Sequence, residues 1–285
     1  MPVYTSEALI LRTYKLGEAD RIVVFLTRDR GKKRGVAKGA RRAKSRYMGA
    51  LEPMTRAGVA YYEREMRDLV RLNYVEAQQS PLSAVMSADG GASVLGHVGY
   101  FAELIDEWAP EAHADERLYR LGSAVVDALA AGAPIERLAR YFEYWILRLQ
   151  GVYPELRICP ACGGALESGA VMPPREHMFV CLRCAPAANG TGISAAALGF
   201  LRAAGRTAPE RMESLALDAR ASRELETAHR RLLHTHLEKE LKSVRVLREM
   251  GRRKRLPASG RKTRPRATKG RKATTGSIEP EAAEV

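Results

Sequence analysis

Along the first eighty residues, hydrophobic and polar positions alternate with a period of two. TSEALILRTYKL, Thr5 to Leu16, reads as a strand, GEAD at 17–20 as a turn, and RIVVFLTR, Arg21 to Arg28, as a second strand. Gly31, Gly35 and Gly39 punctuate a third short strand, and TRAGVAYYERE and RDLVRLNYVEAQ supply two more in hairpin relation. Five short strands with a long connection before the last pair suit a small closed barrel, for which the OB-fold is the leading form.

Near Ser80-Pro81 the spacing changes from two to 3.6. Leu82, Val85 and Met86, then Val94, Leu95, Val98, Phe101, Leu104 and Ile105, fall at helical spacing. DERLYRLGSAVVDALAAG and IERLARYFEYWILRLQG continue as helices, the second opened by Pro134 and closed by Gly151. Helices return from Ser194. There Leu225, Ala228, Leu232, Leu233, Leu237, Leu241 and Val244 predict one long helix from about Ser222 to Met250. After Gly251 the composition collapses to Lys, Arg, Pro, Gly, Thr and Ala, with too little apolar surface to offset the entropy of ordering. The expected organisation is α+β and multidomain. A five-stranded OB-fold barrel covers 1–80, a helical domain 81–158 and a cysteine module 159–184. Further helices over 185–250 complete the helical domain, and a disordered basic tail covers 251–285.

Charge adds to this picture by its placement. The formal net charge is +14. Arg28 to Arg46 holds ten basic residues against Asp29, and residues 252–285 hold eleven against Glu279, Glu281 and Glu284, so the rest is close to neutral. A polyanionic partner is expected. In the first cluster Lys32, Lys33, Arg34, Lys38, Arg41, Arg42, Lys44 and Arg46 have no acid interleaved, so no local salt bridge neutralises them. They read either as a solvated face or as a phosphate-binding surface. Tyr47, Tyr61, Tyr62 and Tyr74 read either as barrel core or as stacking surfaces. No apolar stretch reaches the roughly 20 residues of a membrane span, and the N-terminus lacks the leading positive charge of a signal peptide. A soluble cytoplasmic protein is expected.

Cys159, Cys162, Cys181 and Cys184 form two C-x2-C pairs separated by 18 residues. In an intracellular chain this spacing points to one four-thiolate zinc ion, with reduced core cysteines or a redox pair as the alternatives. Four thiolates leave no open coordination position, so Zn2+ there would be structural. His177, between the pairs, reads as a loop residue.

EALILRTYKLGEADRIVVFLTRDRGKKRGVAKGARRAKSR, Glu7 to Arg46, with LEP at 51–53, resembles the opening of the RecO recombination mediators. The shared form is an apolar strand, a G-E-x-D turn at Gly17, Glu18 and Asp20, a strand ending at Thr27, then Gly31 and the A-K-G-x-R-R-x-K-S-R run from Ala37 to Arg46. RYFEYWILRLQGVYPELRICPACGG, Arg140 to Gly164, is similar to that family's helix-to-zinc junction, although not every member keeps the four cysteines. The likeness covers residues 1–190 well, the last long helix loosely and the tail not at all.

This resemblance implies a non-enzymatic DNA repair protein that binds single- and double-stranded DNA and anneals complementary strands. It implies engagement of the acidic C-terminal tail of single-stranded DNA-binding protein (SSB). It also implies work with RecR, and often RecF, so that RecA loads onto coated DNA at the nucleoid. The eight cations above would be the DNA surface. For the SSB tail the likeness points to the helical domain, where Arg137, Leu138, Arg140, Trp145 and Leu149 are the candidates, with an ordinary amphipathic helix as the alternative.

Enzymatic readings lack their motifs. The chain has no nucleophilic Lys in a K-x-D-G context, no glycine fingerprint after a strand and no G-x-x-x-x-G-K-[ST] loop. Asp106-Glu107 and Asp115-Glu116 are adjacent pairs, which diverge on a helix, and His234 and His236 point to different sides. An RNA- or ribosome-binding module with a basic tail is the alternative that composition leaves open.

Overall fold

A computed structural model describes residues 2–63, 68–82, 86, 91–111 and 113–255. Strands β1 (Val3–Leu16), β2 (Asp20–Thr27), β3 (Gly31–Ala37), β4 (Arg56–Tyr62) and β5 (Leu69–Gln79) close a barrel in the order β1-β2-β3-β5-β4. β3 and β5 run parallel where Arg34 to Ala37 meet Leu69 to Leu72, and all other pairs are antiparallel. This is the OB-like architecture that the alternation predicts.

The unbroken apolar run Ala8-Leu9-Ile10-Leu11 needs a reason, because a barrel strand facing water would alternate. Ala8 and Ile10 point into the barrel with Val23, Phe25 and Tyr61. Leu9 and Leu11 point outward, where Val24, Leu26 and Met54 join the core of the helical domain. Both faces are therefore buried over Ala8–Leu11 of β1 and Val23–Thr27 of β2, each large side chain there contributing roughly 1.5–3 kcal/mol of burial. Polar ties reinforce the join: Arg28 to Glu116 at 3.0 Å, Arg56 to Asp127 at 2.9 Å, and Arg12 to Asp106 at 3.3 Å. Gly31 (φ 71°) starts β3 where a Cβ would lie 2.6 Å from the His113 carbonyl, so the connection to the helices can lie directly on it.

The described helices are α1 (Gly91–Trp108), α2 (Glu116–Ala130), α3 (Ile135–Leu149), α4 (Ala195–Ala204), α5 (Ala219–Leu237) and α6 (Lys242–Arg255). Phe101 of α1 and Phe142 of α3 meet with ring centroids 4.8 Å apart at the centre. The single helix expected over 222–250 is two. Glu238 adopts a left-handed conformation (φ 52°) that ends α5, and α6 turns back to pack on α1. Glu103 of α1 fixes that turn by accepting from the backbone N–H groups of Lys242 (3.1 Å) and Ser243 (2.8 Å), a carboxylate placed at the positive end of α6. α6 continues through 251–255, which composition assigned to the tail, while the disorder expected over 256–285 lies outside the described residues.

Three short strands were not anticipated. β6 (Gly169–Met172), β7 (Val180–Cys181) and β8 (Thr191–Ser194) form a sheet in the order β7-β6-β8, and Val171, Met172 and Ile193 enter the same core as α4 and α5. Among the described residues no helix is long and apolar enough to cross a membrane.

Candidate nucleic-acid interface and cysteine centre

The loop after β3 is built on the β1–β2 turn. Asp20 accepts the Gly39 N–H at 2.8 Å, and the Ala19 carbonyl accepts the Arg41 N–H at 2.9 Å. The Arg41 guanidinium donates to the carbonyls of Gly17 and Glu18, both at 2.9 Å. Gly39 turns at φ 72°, where a side chain would be strained, and so aims its N–H at Asp20. The GEAD and KGARR stretches are thus two halves of one interlocked device. Between them lies a depression of about 740 Å³ lined by Leu16 to Asp20, Lys38, Gly39 and Arg42.

The eight cations fall into two groups. Lys32 is bound to Asp106, by its side chain (3.4 Å) and its carbonyl (2.6 Å). Lys33 pairs with Glu63 at 2.7 Å and Arg34 with Glu111 at 3.3 Å. The absence of interleaved acids in the sequence therefore does not leave the strand half unneutralised, because acids from far along the chain reach it. Lys38, Arg41, Arg42, Lys44 and Arg46 are exposed, and among the described residues none has a carboxylate partner within ion-pair distance. Of the tyrosines, Tyr47 and Tyr61 are barrel core, Tyr47 donating to the Leu72 carbonyl at 3.0 Å. Tyr62 is half-buried, and Tyr74 is exposed with its hydroxyl on Glu76.

The four cysteine sulfurs lie within 4.8 Å of one another, with Cys162 and Cys181 3.6 Å apart. Sulfurs about 2.3 Å from a tetrahedral ion would be roughly 3.8 Å apart, so the cluster is compatible with zinc. The first pair is folded by the Gly163 N–H on the Cys159 carbonyl (2.9 Å), the second by the Cys184 N–H on that of Cys181 (3.0 Å). The Cys184 N–H also pulls the Cys181 thiol to about 6, while hydrogen bonding to Cys162 and Cys181 pushes Cys184 up to about 12. Four sulfurs this close cannot all ionise without a cation among them. His177 is exposed, beside His236 and outside the cluster.

The five candidates for an acidic peptide are not gathered on one open face. Leu138 is core, Arg137 donates to the Leu215 carbonyl at 2.8 Å, and the Trp145 indole donates to the Ala204 carbonyl at 3.1 Å. Leu149 packs half-buried against the core. Arg140 is different. It is buried, and one nitrogen donates to Glu143 at 2.9 Å, yet Nε and Nη1 have no partner among the described residues. It lines a cavity of about 870 Å³ between α1, α3, α5 and α6, whose apolar wall includes Leu233, Leu237, Leu241, Val244 and Leu247. Sequence reasoning could single out Arg140 but not this cavity, which exists only because α6 folds back.

Beneath Arg140, the Glu143 carboxylate also accepts from the Tyr100 hydroxyl (2.8 Å) and from His229 Nδ1 (2.9 Å), and the Tyr153 hydroxyl donates to His229 Nε2 (2.8 Å). Burial lowers His229 below the ordinary histidine value despite the carboxylate, as it lowers His97. The unfolded chain therefore takes up the proton more readily than the fold. Stability present above about pH 6.5 is lost as pH falls through that value, at most about 1.4 kcal/mol per pH unit for each such histidine. The melting temperature is expected to drop as pH is lowered through that range, and His229→Gln to shrink the drop; an equal drop in the variant would place the effect elsewhere.

Two family models match the chain: "Recombination protein O N terminal" over residues 1–81 and "Recombination protein O C terminal" over 93–245. A protein of Koribacter versatilis named "DNA repair protein RecO" is 41% identical over 176 residues, 62% of this chain and 70% of that one. A protein of that name from Anaeromyxobacter sp. is 36% identical over 250 residues, 85% of this chain and 94% of the relative. Another, from Desulforudis audaxviator, is 33% identical over 258 residues, covering 88% and 98%.

Proposed function

This chain belongs to the RecO family, a family of DNA repair mediators rather than enzymes, and from that premise we propose that it binds DNA phosphates through the loop after β3 and anneals complementary strands. The observation that carries this reading is the interlocked loop, which presents five cations without carboxylate partners on a hydrogen-bonded backbone. Such charge relieves phosphate repulsion between two strands without holding base edges, so pairing itself can do the joining. Lys32, Lys33 and Arg34 would join the contact only by exchanging an internal acid for a phosphate.

On this reading SSB-coated strands are reached through the acidic SSB tail. Arg140 supports that role, because its unmatched donors suit a carboxylate and the cavity wall beside it suits an apolar side chain. Arg137, Leu138, Trp145 and Leu149 would then support the fold around the cavity. The cysteines would hold one structural Zn2+, which stabilises the β6–β8 sheet and leaves no position for substrate. RecR, and RecF with it, would be the partners through which RecA reaches the strand, in the cytoplasm at the nucleoid.

The test is annealing of complementary oligonucleotides precoated with SSB, followed by fluorescence quenching. The chain is expected to accelerate it severalfold. That acceleration should vanish when the SSB lacks its acidic tail, and in Arg140→Ala, while naked strands still anneal. Binding to naked DNA with no acceleration on coated strands would sink the mediator reading. Addition of RecR, with RecA filament growth as the readout, tests the later step.

A further inference from the structure

Resting on the reading that the barrel meets DNA, we propose that its outward sheet face carries a second kind of contact, an aromatic platform at Tyr14 that takes the bases of a single strand. The strand register places the residues. Tyr14 of β1 stands opposite Ile22 of β2, Ile22 opposite Val36 of β3, and Val36 opposite Arg71 of β5. The adjacent row carries Val23 and Val70, which are barrel core, so the pleat turns the Tyr14 row outward.

The outward rows on either side differ. Toward the helical domain the next one is closed, because Val24 is buried in the helical core and Arg12 is held by Asp106 at 3.3 Å. In the other direction lie exposed Leu16, then the depression beside the basic loop. The Tyr14 row is the open strip between them. Tyr14 is 46% exposed, Ile22 and Val36 are half-buried, and Arg71 is exposed. The Arg12 guanidinium donates to the Tyr14 hydroxyl at 3.3 Å and so steadies the ring.

This strip joins an aromatic ring and two branched aliphatic side chains to a cationic border of Arg71, Lys38 and Arg42. The carboxylates in the depression are Glu18 and Asp20, and Asp20 is occupied by the Gly39 N–H. A single strand matches that pattern, since it offers flat base faces beside a polyanionic backbone. A duplex hides its base faces in the stack and offers phosphates. The loop would thus serve both forms of DNA, and the Tyr14 strip the single strand.

The test measures binding of the full chain to a labelled oligonucleotide of about 20 nucleotides, single-stranded and as its duplex, by fluorescence anisotropy. Tyr14→Ala is expected to weaken single-strand binding roughly tenfold and to leave duplex binding within about twofold. Tyr14→Phe should restore the single-strand affinity, since the ring and not the hydroxyl makes the contact. The control is a loop variant with Lys38→Ala, Arg42→Ala and Lys44→Ala, which should weaken both ligands. Equal losses on strand and duplex from Tyr14→Ala, or no loss on the strand, would overturn the platform while leaving the loop reading intact. Undiminished binding in the loop variant would overturn that reading instead. A loss confined to single-stranded RNA of the same sequence would overturn the assignment to DNA.

Discussion

Combining Lys38→Ala, Arg42→Ala and Lys44→Ala is expected to lower affinity for single-stranded and duplex DNA by roughly 10- to 100-fold at low salt, with no fall in melting temperature. The three side chains are exposed and, among the described residues, make no ion pair whose loss would unsettle the fold. If each meets one phosphate, the slope of log affinity against log salt falls by about 2.7 on duplex DNA. The variant would then lose about 40-fold less affinity than the parent between 50 and 200 mM salt. An unchanged slope would show that these cations face solvent.

Arg41 also holds the loop together. Its guanidinium holds the Gly17 and Glu18 carbonyls, so Arg41→Ala would loosen the loop and mix two effects. The strand cations make the opposite contrast. Removing Lys32 would strand Asp106 beside Arg12 with one partner fewer, so its variant should report on stability before it reports on DNA.

How far these features could be read in the sequence depends on the distance over which each is determined. The barrel was legible because strand alternation and turn glycines are local, and the loop was legible because nine cations stand within seventeen residues. Neutralisation of Lys32, Lys33 and Arg34 was not, since Asp106, Glu63 and Glu111 come from distant segments. The split of the last helix was hidden for a different reason. Leu241 and Val244 continue the periodicity of α5, yet Leu241 joins the core from the turn after α5 and Val244 packs on it from α6, and the signal that ends α5 is one left-handed glutamate. Strands β6 to β8 are two to four residues long, too short for alternation to register. The outward placement of Tyr14 was not legible either, because an aromatic residue in a strand looks the same facing in or out until the register is known. The cysteine pairs carried their meaning in spacing alone, and the sulfurs do converge.

Metal removal is expected to give the largest change in stability. Elemental analysis of the purified chain should return about one zinc per molecule, and a strong chelator should lower the melting temperature by more than about 10 °C. Structural zinc contributes apparent binding free energies of about 10–16 kcal/mol in small zinc peptides, comparable with the whole stability of an ordinary domain. Here the site also anchors the β6–β8 sheet, whose Val171, Met172 and Ile193 belong to the helical core, with Phe179 just before β7. Freed of metal, β7 would lose its tie to the first cysteine pair, and the packing of β6 and β8 on α4 and α5 would loosen with it. The barrel interior is a separate cluster, so its loop should still bind naked DNA in the metal-free chain. Cys181→Ser should reproduce the chelator's effect, because it removes a ligand while nearly preserving volume. A chain that holds no zinc, or one that melts unchanged after chelation, would leave four converged thiols as ordinary packing and detach the helical core from any metal.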